Sequence, residues 1–313
     1  MWGVGQGGGV GIREGAPVPT PARVPELVLA REQDEAVLAE RVRAKQLVRV
    51  GRGAYLPQGE WTKREVSLAR IAAMHAHLGA EHWFSHESAA MLWGLPVWKE
   101  PQCVHVRTTT AGSKTAGLSR HRGELPPGTT THLHDLPVTT LPLTVVDCAR
   151  TLPALPGLVV ADAALSTRMS RDDAAQLLTT CRGKGVRRAA TVLRYADGGA
   201  ESPWETATRL VLLRAGLPAP VTQFRLSTRI GPVHADLAIV DWHLLIEFDG
   251  RLKYTGPQVV YDEKLRNDAI TEQGGHLLHI TASDHTDTED LVDRVLAYAP
   301  PGFRLTPRPH LLF

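Results

Sequence analysis

Cysteine is scarce in this chain of 313 residues: Cys103, Cys148 and Cys181 are odd in number, far apart and form no CxxC pair. That argues against a disulfide framework or a zinc ribbon and fits a reducing cytoplasm best. Long apolar runs are missing as well. Nothing approaches the ~20 consecutive apolar residues that span a bilayer, so no membrane partner is expected. The opening stretch, residues 1–11, is glycine-rich without a basic lead or an apolar core, which is not the pattern of a signal peptide. A surplus of one charge is also absent. A formal net charge of +2 neither demands nor forbids nucleic acid, because the placement of charge decides that.

What is there is ordinary globular material, 43% hydrophobic and 22% charged, in a chain long enough for two or three domains. Residues 1–22 are Gly- and Pro-rich with nothing to bury and are expected to be a disordered leader. Residues 23–60 form the first unit. Apolar positions Leu27, Val28, Val37, Leu38, Val42 and Leu47 predict two short helices, and Leu47 to Pro57 alternates apolar residues with Arg and Gly as a β-hairpin would. Helix, helix and basic hairpin make a winged helix. This stretch, with Arg49-Val50-Gly51-Arg52-Gly53-Ala54-Tyr55, resembles the N-terminal domain of AbiEi-type antitoxins, in which a winged helix binds promoter DNA. The resemblance implies DNA, and a cognate toxin, as partners. It would place Arg41, Arg43 and Lys45 of the helix toward the major groove and Arg49 and Arg52 of the wing on phosphate. A solvated helix face is the alternative for these charges.

Residues 61–200 read as an α+β middle region. A helix is predicted from Arg64 to Leu78, and a second follows Ser85 as N-cap and closes on Gly94. The phrases from Phe84 to Pro96 and from Val138 to Arg150 are similar to the same antitoxin-like family, with Thr144 expected to cap a helix. His132 and His134 would share one face of a strand beside Asp135, yet no further ligand stands at a metal-site spacing. These two, with His75, His77, His82 and His86, are expected to be structural or surface residues. Asp197-Gly198-Gly199-Ala200 reads as a flexible boundary.

Residues 201–300 carry the chemistry, followed by an irregular tail at 301–313. Ser202, Pro203, Glu205 and Gly216 cap one helix, with Glu205 closing a capping box. Strands are predicted at Val221–Leu226, Val233–Val240 and His243–Phe248, then at His276–Ile280, with a last helix from Thr288 to Tyr298. Asp236, Glu247 and Asp249 interrupt or end apolar strands, where an unpaired buried carboxylate would cost several kcal/mol. With the second and third strands paired, Asp236 and Glu247 lie side by side and Asp249 shares the face of Glu247. Converging carboxylates suit Mg2+ or Mn2+ and phosphodiester hydrolysis, with Lys253 as the nearby ammonium.

These residues resemble the PD-(D/E)XK nuclease superfamily, in its branch related to very-short-patch repair endonucleases. The motifs, in order, are Glu205, Asp236, Glu247-Phe248-Asp249-Gly250-Arg251-Leu252-Lys253-Tyr254, and Glu263-Lys264-Leu265-Arg266-Asn267-Asp268. The usual lysine two places after the glutamate is Asp249 here, and Lys253 stands where histidine is common. The resemblance implies a catalytic set of Glu205, Asp236, Glu247, Asp249 and Lys253, with Lys264 and Arg266 facing the phosphate backbone. The expected fold is therefore multidomain α/β, ending in a restriction-endonuclease-like mixed sheet. Three functions stay open: a metal-dependent DNA endonuclease, a non-catalytic DNA-binding regulator of antitoxin type, and a nuclease acting on RNA or on damaged duplex.

Overall fold

The computed structural model describes residues 2, 16–109, 115–249, 257–308 and 311. The chain is multidomain α/β, with three sheets and helices packed on them. Among the described residues no helix is long and apolar enough to cross a membrane.

The first sheet is small. Strand β1 (Val28–Leu29) leads through a 3-10 turn (Ala30–Glu32) into helix α1 (Glu35–Arg43), which Asp34 caps by accepting from the N–H groups of Ala36 and Val37. Strands β2 (Leu47–Gly51) and β3 (Ala54–Pro57) form the expected hairpin, turning at Arg52-Gly53 with Gly53 at φ 64°. Two helices were expected ahead of it and there is one. Val28 and Leu29 pair instead with Tyr55 and Ala54, which completes a β1-β3-β2 sheet over buried Leu47, Ala54 and Leu56. Edge pairing has overridden a weak helical periodicity. Helix α2 (Lys63–His77), started by a full Thr62–Glu65 capping box, packs so closely on the wing that a Cβ at Gly51 would lie 2.9 Å from the Ala73 methyl.

The second sheet joins β4 (Trp83–Phe84), β5 (Val104–Thr108), β6 (Leu118–Arg122), β7 (Thr130–Leu133) and β8 (Leu136–Thr139) in the order β6-β5-β4-β8-β7. Helix α3 (His86–Leu92) covers it, and α4 (Leu141–Thr151), α5 (Ala154–Leu165), α6 (Arg171–Thr180) and α7 (Val186–Tyr195) build the adjoining apolar core. Three expectations change here. Ser85 precedes α3, but its hydroxyl bonds to His86 Nδ1 (2.9 Å) rather than capping the helix. Thr144 lies inside α4, where its hydroxyl meets Thr139 Oγ1 (2.7 Å). His134 and Asp135 both have positive φ, at 49° and 63°, so they form the β7–β8 turn and share no strand face with His132.

The third unit follows the sequence expectation closely. Helix α8 (Pro203–Ala215) precedes β9 (Val221–Thr228), β10 (Gly231–Ile239), β11 (Leu244–Phe248), α9 (Pro257–Glu272), β12 (His276–Ile280) and α10 (Thr288–Leu296). The order is β12-β11-β10-β9, with β12 parallel to β11 and the others antiparallel. One face packs Leu212, Leu237, Ile246, Ile280 and Leu291; the other packs Phe224, Leu226, Ala235, Leu245 and Ile270. Ser202 Oγ accepts from the Glu205 N–H and Gly216 ends the helix at φ 85°, as the local sequence requires.

The boundary at Asp197–Ala200 is tightly packed. A Cβ on Gly198 would lie 2.5 Å from the Leu165 carbonyl oxygen, and one on Gly199 would lie 2.0 Å from Thr222 Oγ1. Asp162, buried in α5, accepts from Arg209 Nη1 (2.7 Å), Thr206 Oγ1 (2.8 Å) and the Asp197 N–H (2.7 Å). The leader also finds partners where none was expected. Ala16 and Pro17 accept from Arg168, the Ala22 N–H donates to Leu92, and the Trp2 indole stacks on His243 (4.6 Å) while donating to the Gln273 carbonyl (2.8 Å).

Candidate acidic site on the third sheet

Strands β10 and β11 pair with Leu237 opposite Ile246, and the same register carried one step further sets Asp236 opposite Glu247. Val233 and Ala235 pack on the α9 side of the sheet, whereas Leu237 and Ile239 pack on the α8 side, so β10 changes face at Asp236. The neighbouring strand accommodates this at Gln223, held at φ 48°. Asp236 accepts the Phe248 N–H at 2.9 Å, which fixes its carboxylate at the end of β11.

Glu205 enters from the first turn of α8 and is buried. It does not close a capping box on Ser202, since its Oε2 reaches one residue further back to the Glu201 N–H (2.8 Å). Burial raises the Glu205 carboxyl above its ordinary pKa, the Glu201 and Ser202 hydrogen bonds lower it, and Asp236 raises it again. Glu247 is raised by burial, lowered by Arg266 and raised by Asp236. Asp236 thus acts on both glutamates, and three carboxylates from α8, β10 and β11 share one field.

Asp249 completes the edge. Its N–H bonds the Ile280 carbonyl (2.8 Å), and its Oδ2 lies 2.8 Å from His279 Nδ1. The other His279 nitrogen is 3.6 Å from Glu263 Oε1 on α9. One ligand atom each from Glu247, Glu263 and His279 lies within 4.8 Å of the others. Glu263 Oε1 is buried, and among the described residues no hydrogen-bond donor reaches it. Beside the site, Trp204 stacks parallel on Phe248 at 5.4 Å and meets Trp98 edge-on at 4.9 Å.

The structure therefore gathers Glu205, Asp236, Glu247 and Asp249. Lys253 lies outside the described residues. The two basic residues of α9 divide: Lys264 is exposed, while Arg266 turns inward and holds Glu247 in a two-pronged salt bridge, with a further bond to the His234 carbonyl (2.6 Å). Sequence reasoning missed His279 and gave Glu263 no role. The signal for His279 was a polar residue in an apolar strand, but its placement depends on the parallel register that pairs it with Glu247.

The basic residues of the first unit lie on α1, just beyond it and on the wing. Arg43, Lys45, Arg49 and Arg52 are exposed, and Arg41 is half-buried. Their recorded bonds are to neutral oxygens: Arg41 to Gln33, Arg43 to the Ala39 carbonyl and Arg49 to the Gly51 carbonyl.

No family model matches the chain. Two uncharacterized proteins of Mycobacterium tuberculosis, from two strains, are each 29% identical to it over 243 residues, covering 76% of this chain and 86% of theirs.

Proposed function

We propose that this chain is a DNA-binding protein whose third domain is a metal-dependent endonuclease. The observation that carries this reading is the meeting of Glu205, Asp236, Glu247 and Asp249 at one sheet edge, with Asp236 opposing ionisation of both glutamates. A buried cluster of like charges is unfavourable unless a cation joins it. The donor set fits a hard divalent ion such as Mg2+ or Mn2+, being mainly carboxylate oxygen and including the buried Glu263 Oε1, which no donor among the described residues reaches. Asp236, Glu247 and Asp249 would hold it. Such an ion supplies an activated water and neutralises charge on the phosphate.

The chain's own residues then have distinct tasks. His279, flanked by Asp249 and Glu263, can hold a proton at Nδ1 or Nε2. Arg266 can donate to a phosphate oxygen only by releasing Glu247, and Lys264, which is exposed, would meet a neighbouring phosphate. Arg41, Arg43, Lys45, Arg49 and Arg52 would bring the duplex to the protein through salt-sensitive contacts.

A second reading, a DNA-binding regulator of antitoxin type with a cognate toxin as partner, is favoured by the Arg266 clamp, which already neutralises Glu247 without any ion. Cleavage of supercoiled plasmid with Mg2+ or Mn2+ separates the two. Metal-dependent nicking that disappears in Asp236→Ala and Glu247→Ala, with DNA retention unchanged, supports the nuclease. Salt-sensitive DNA retention without nicking by any of the proteins supports the regulator.

A further inference from the structure

A second cluster of ligating side chains lies in the middle sheet, outside the acidic site. His86 opens α3, His105 sits on β5 and His121 on β6. One nitrogen from each ring lies within 4.8 Å of the others. His105 Nδ1 and His121 Nε2 are 2.9 Å apart, and the His121 ring stacks on His86 with centroids separated by 3.6 Å. His86 is buried and held at φ 51°, a left-handed backbone that costs a non-glycine residue about 1–3 kcal/mol and is found where a side chain must be aimed.

Two of the three outer nitrogens also have partners. His86 Nδ1 meets Ser85 Oγ at 2.9 Å and faces the buried Asp147 carboxylate at 3.9 Å. His105 Nε2 faces Glu87 Oε2 at 3.8 Å. This is the pattern of histidine metal ligands, in which the ring nitrogen turned away from the ion is oriented by a carboxylate or hydroxyl. Arg107 stands nearby, but it is committed to Asp147 by a two-pronged bond, so its charge is balanced. Burial lowers the pKa of all three imidazoles, that of His105 to about 4, which keeps their lone pairs available at neutral pH.

We propose that His86, His105 and His121 form a binding site for a late first-row divalent metal, Zn2+ foremost, distinct from the acidic edge of the third sheet. Three imidazoles satisfy the preference of such ions for nitrogen and leave a fourth position for water. The ion takes the place of the N–H···N bond that His105 and His121 share, and that proton is released to solvent.

The full-length protein, prepared without a polyhistidine tag, is equilibrated with Zn2+ and desalted, and the retained metal is measured by mass spectrometry. About one ion per chain is expected in the wild type and in an Asp236→Ala, Glu247→Ala variant. His105→Gln and His121→Gln should each bind at least ~10-fold more weakly. Both test positions are half-exposed, and metal-free melting curves are recorded for each variant so that loss of fold is seen separately. Zn2+ should raise the melting temperature of the wild type but of neither histidine variant. Absence of retained zinc in the wild type would overturn the proposal, as would equal retention by folded His105→Gln and His121→Gln proteins.

Discussion

The second and third sheets each gather buried titratable groups, but they balance them differently. Around β5 and β6 the histidines are kept neutral by burial, and of the two carboxylates beside them Asp147 is matched by Arg107 while burial raises the pKa of Glu87. At the edge of β10 and β11, Arg266 faces Glu247, Glu263 and Asp236, and two carboxyls of the site, Glu205 and Glu247, are pushed toward their neutral forms. The middle sheet holds its buried charge mainly in one matched pair, Arg107 with Asp147. Among the described residues the edge of the third sheet carries more carboxylates than cations, a surplus that a bound cation would relieve.

Removing the balancing arginines is the strongest test. Arg107→Ala leaves Asp147, 2% exposed, without its partner and should cost about 3–5 kcal/mol in urea unfolding. Arg266→Ala should cost less, roughly 1.5 kcal/mol, because Glu247 keeps some contact with water. The same variant should show a larger Mg2+-induced rise in melting temperature than the wild type, since the ion no longer competes with a guanidinium. Equal losses in the two variants would erase the contrast between the sheets. Glu205→Gln should act in the opposite direction, stabilising the protein by about 0.5–1 kcal/mol, because it removes a like charge from the edge while leaving an acceptor for the Glu201 N–H.

The last effect is one of pH, with opposite signs in the two regions. His86, His105 and His121 titrate below the ordinary 6.5, so the unfolded chain takes up protons first and stability falls as pH drops from about 6.5 toward 4. Glu205 and Glu247 titrate above the ordinary 4.5, so the folded chain takes up protons first; their contribution is present below that value and lost as pH rises through their folded values. Denaturation midpoints between pH 4 and 7 should therefore fall less steeply with acid in the His105→Gln, His121→Gln double variant and more steeply in Glu205→Gln.

The acidic edge was legible in sequence because Asp236, Glu247 and Asp249 interrupt apolar strands whose pairing is local, a hairpin joined by a short turn. His279 was not, since it comes beside Glu247 only through a parallel pairing across helix α9. The three clustered histidines were further out of reach. They belong to elements brought together by the order β6-β5-β4-β8-β7, and periodicity carries no information on that order. Strand β1 failed for a different reason: two residues are too few for any period to show, and pairing with β3 decided their conformation.

Composition marks Asp197-Gly198-Gly199-Ala200 as a hinge, but the packed glycines and the Asp162–Arg209 pair make it a weld. The small glycines let the end of the α5 backbone and the Thr222 side chain of β9 close onto the connection, and Arg209 reaches back to the Tyr195 carbonyl across the same joint. The second and third units thus share a packed seam, closed by a buried ion pair rather than left as open linker.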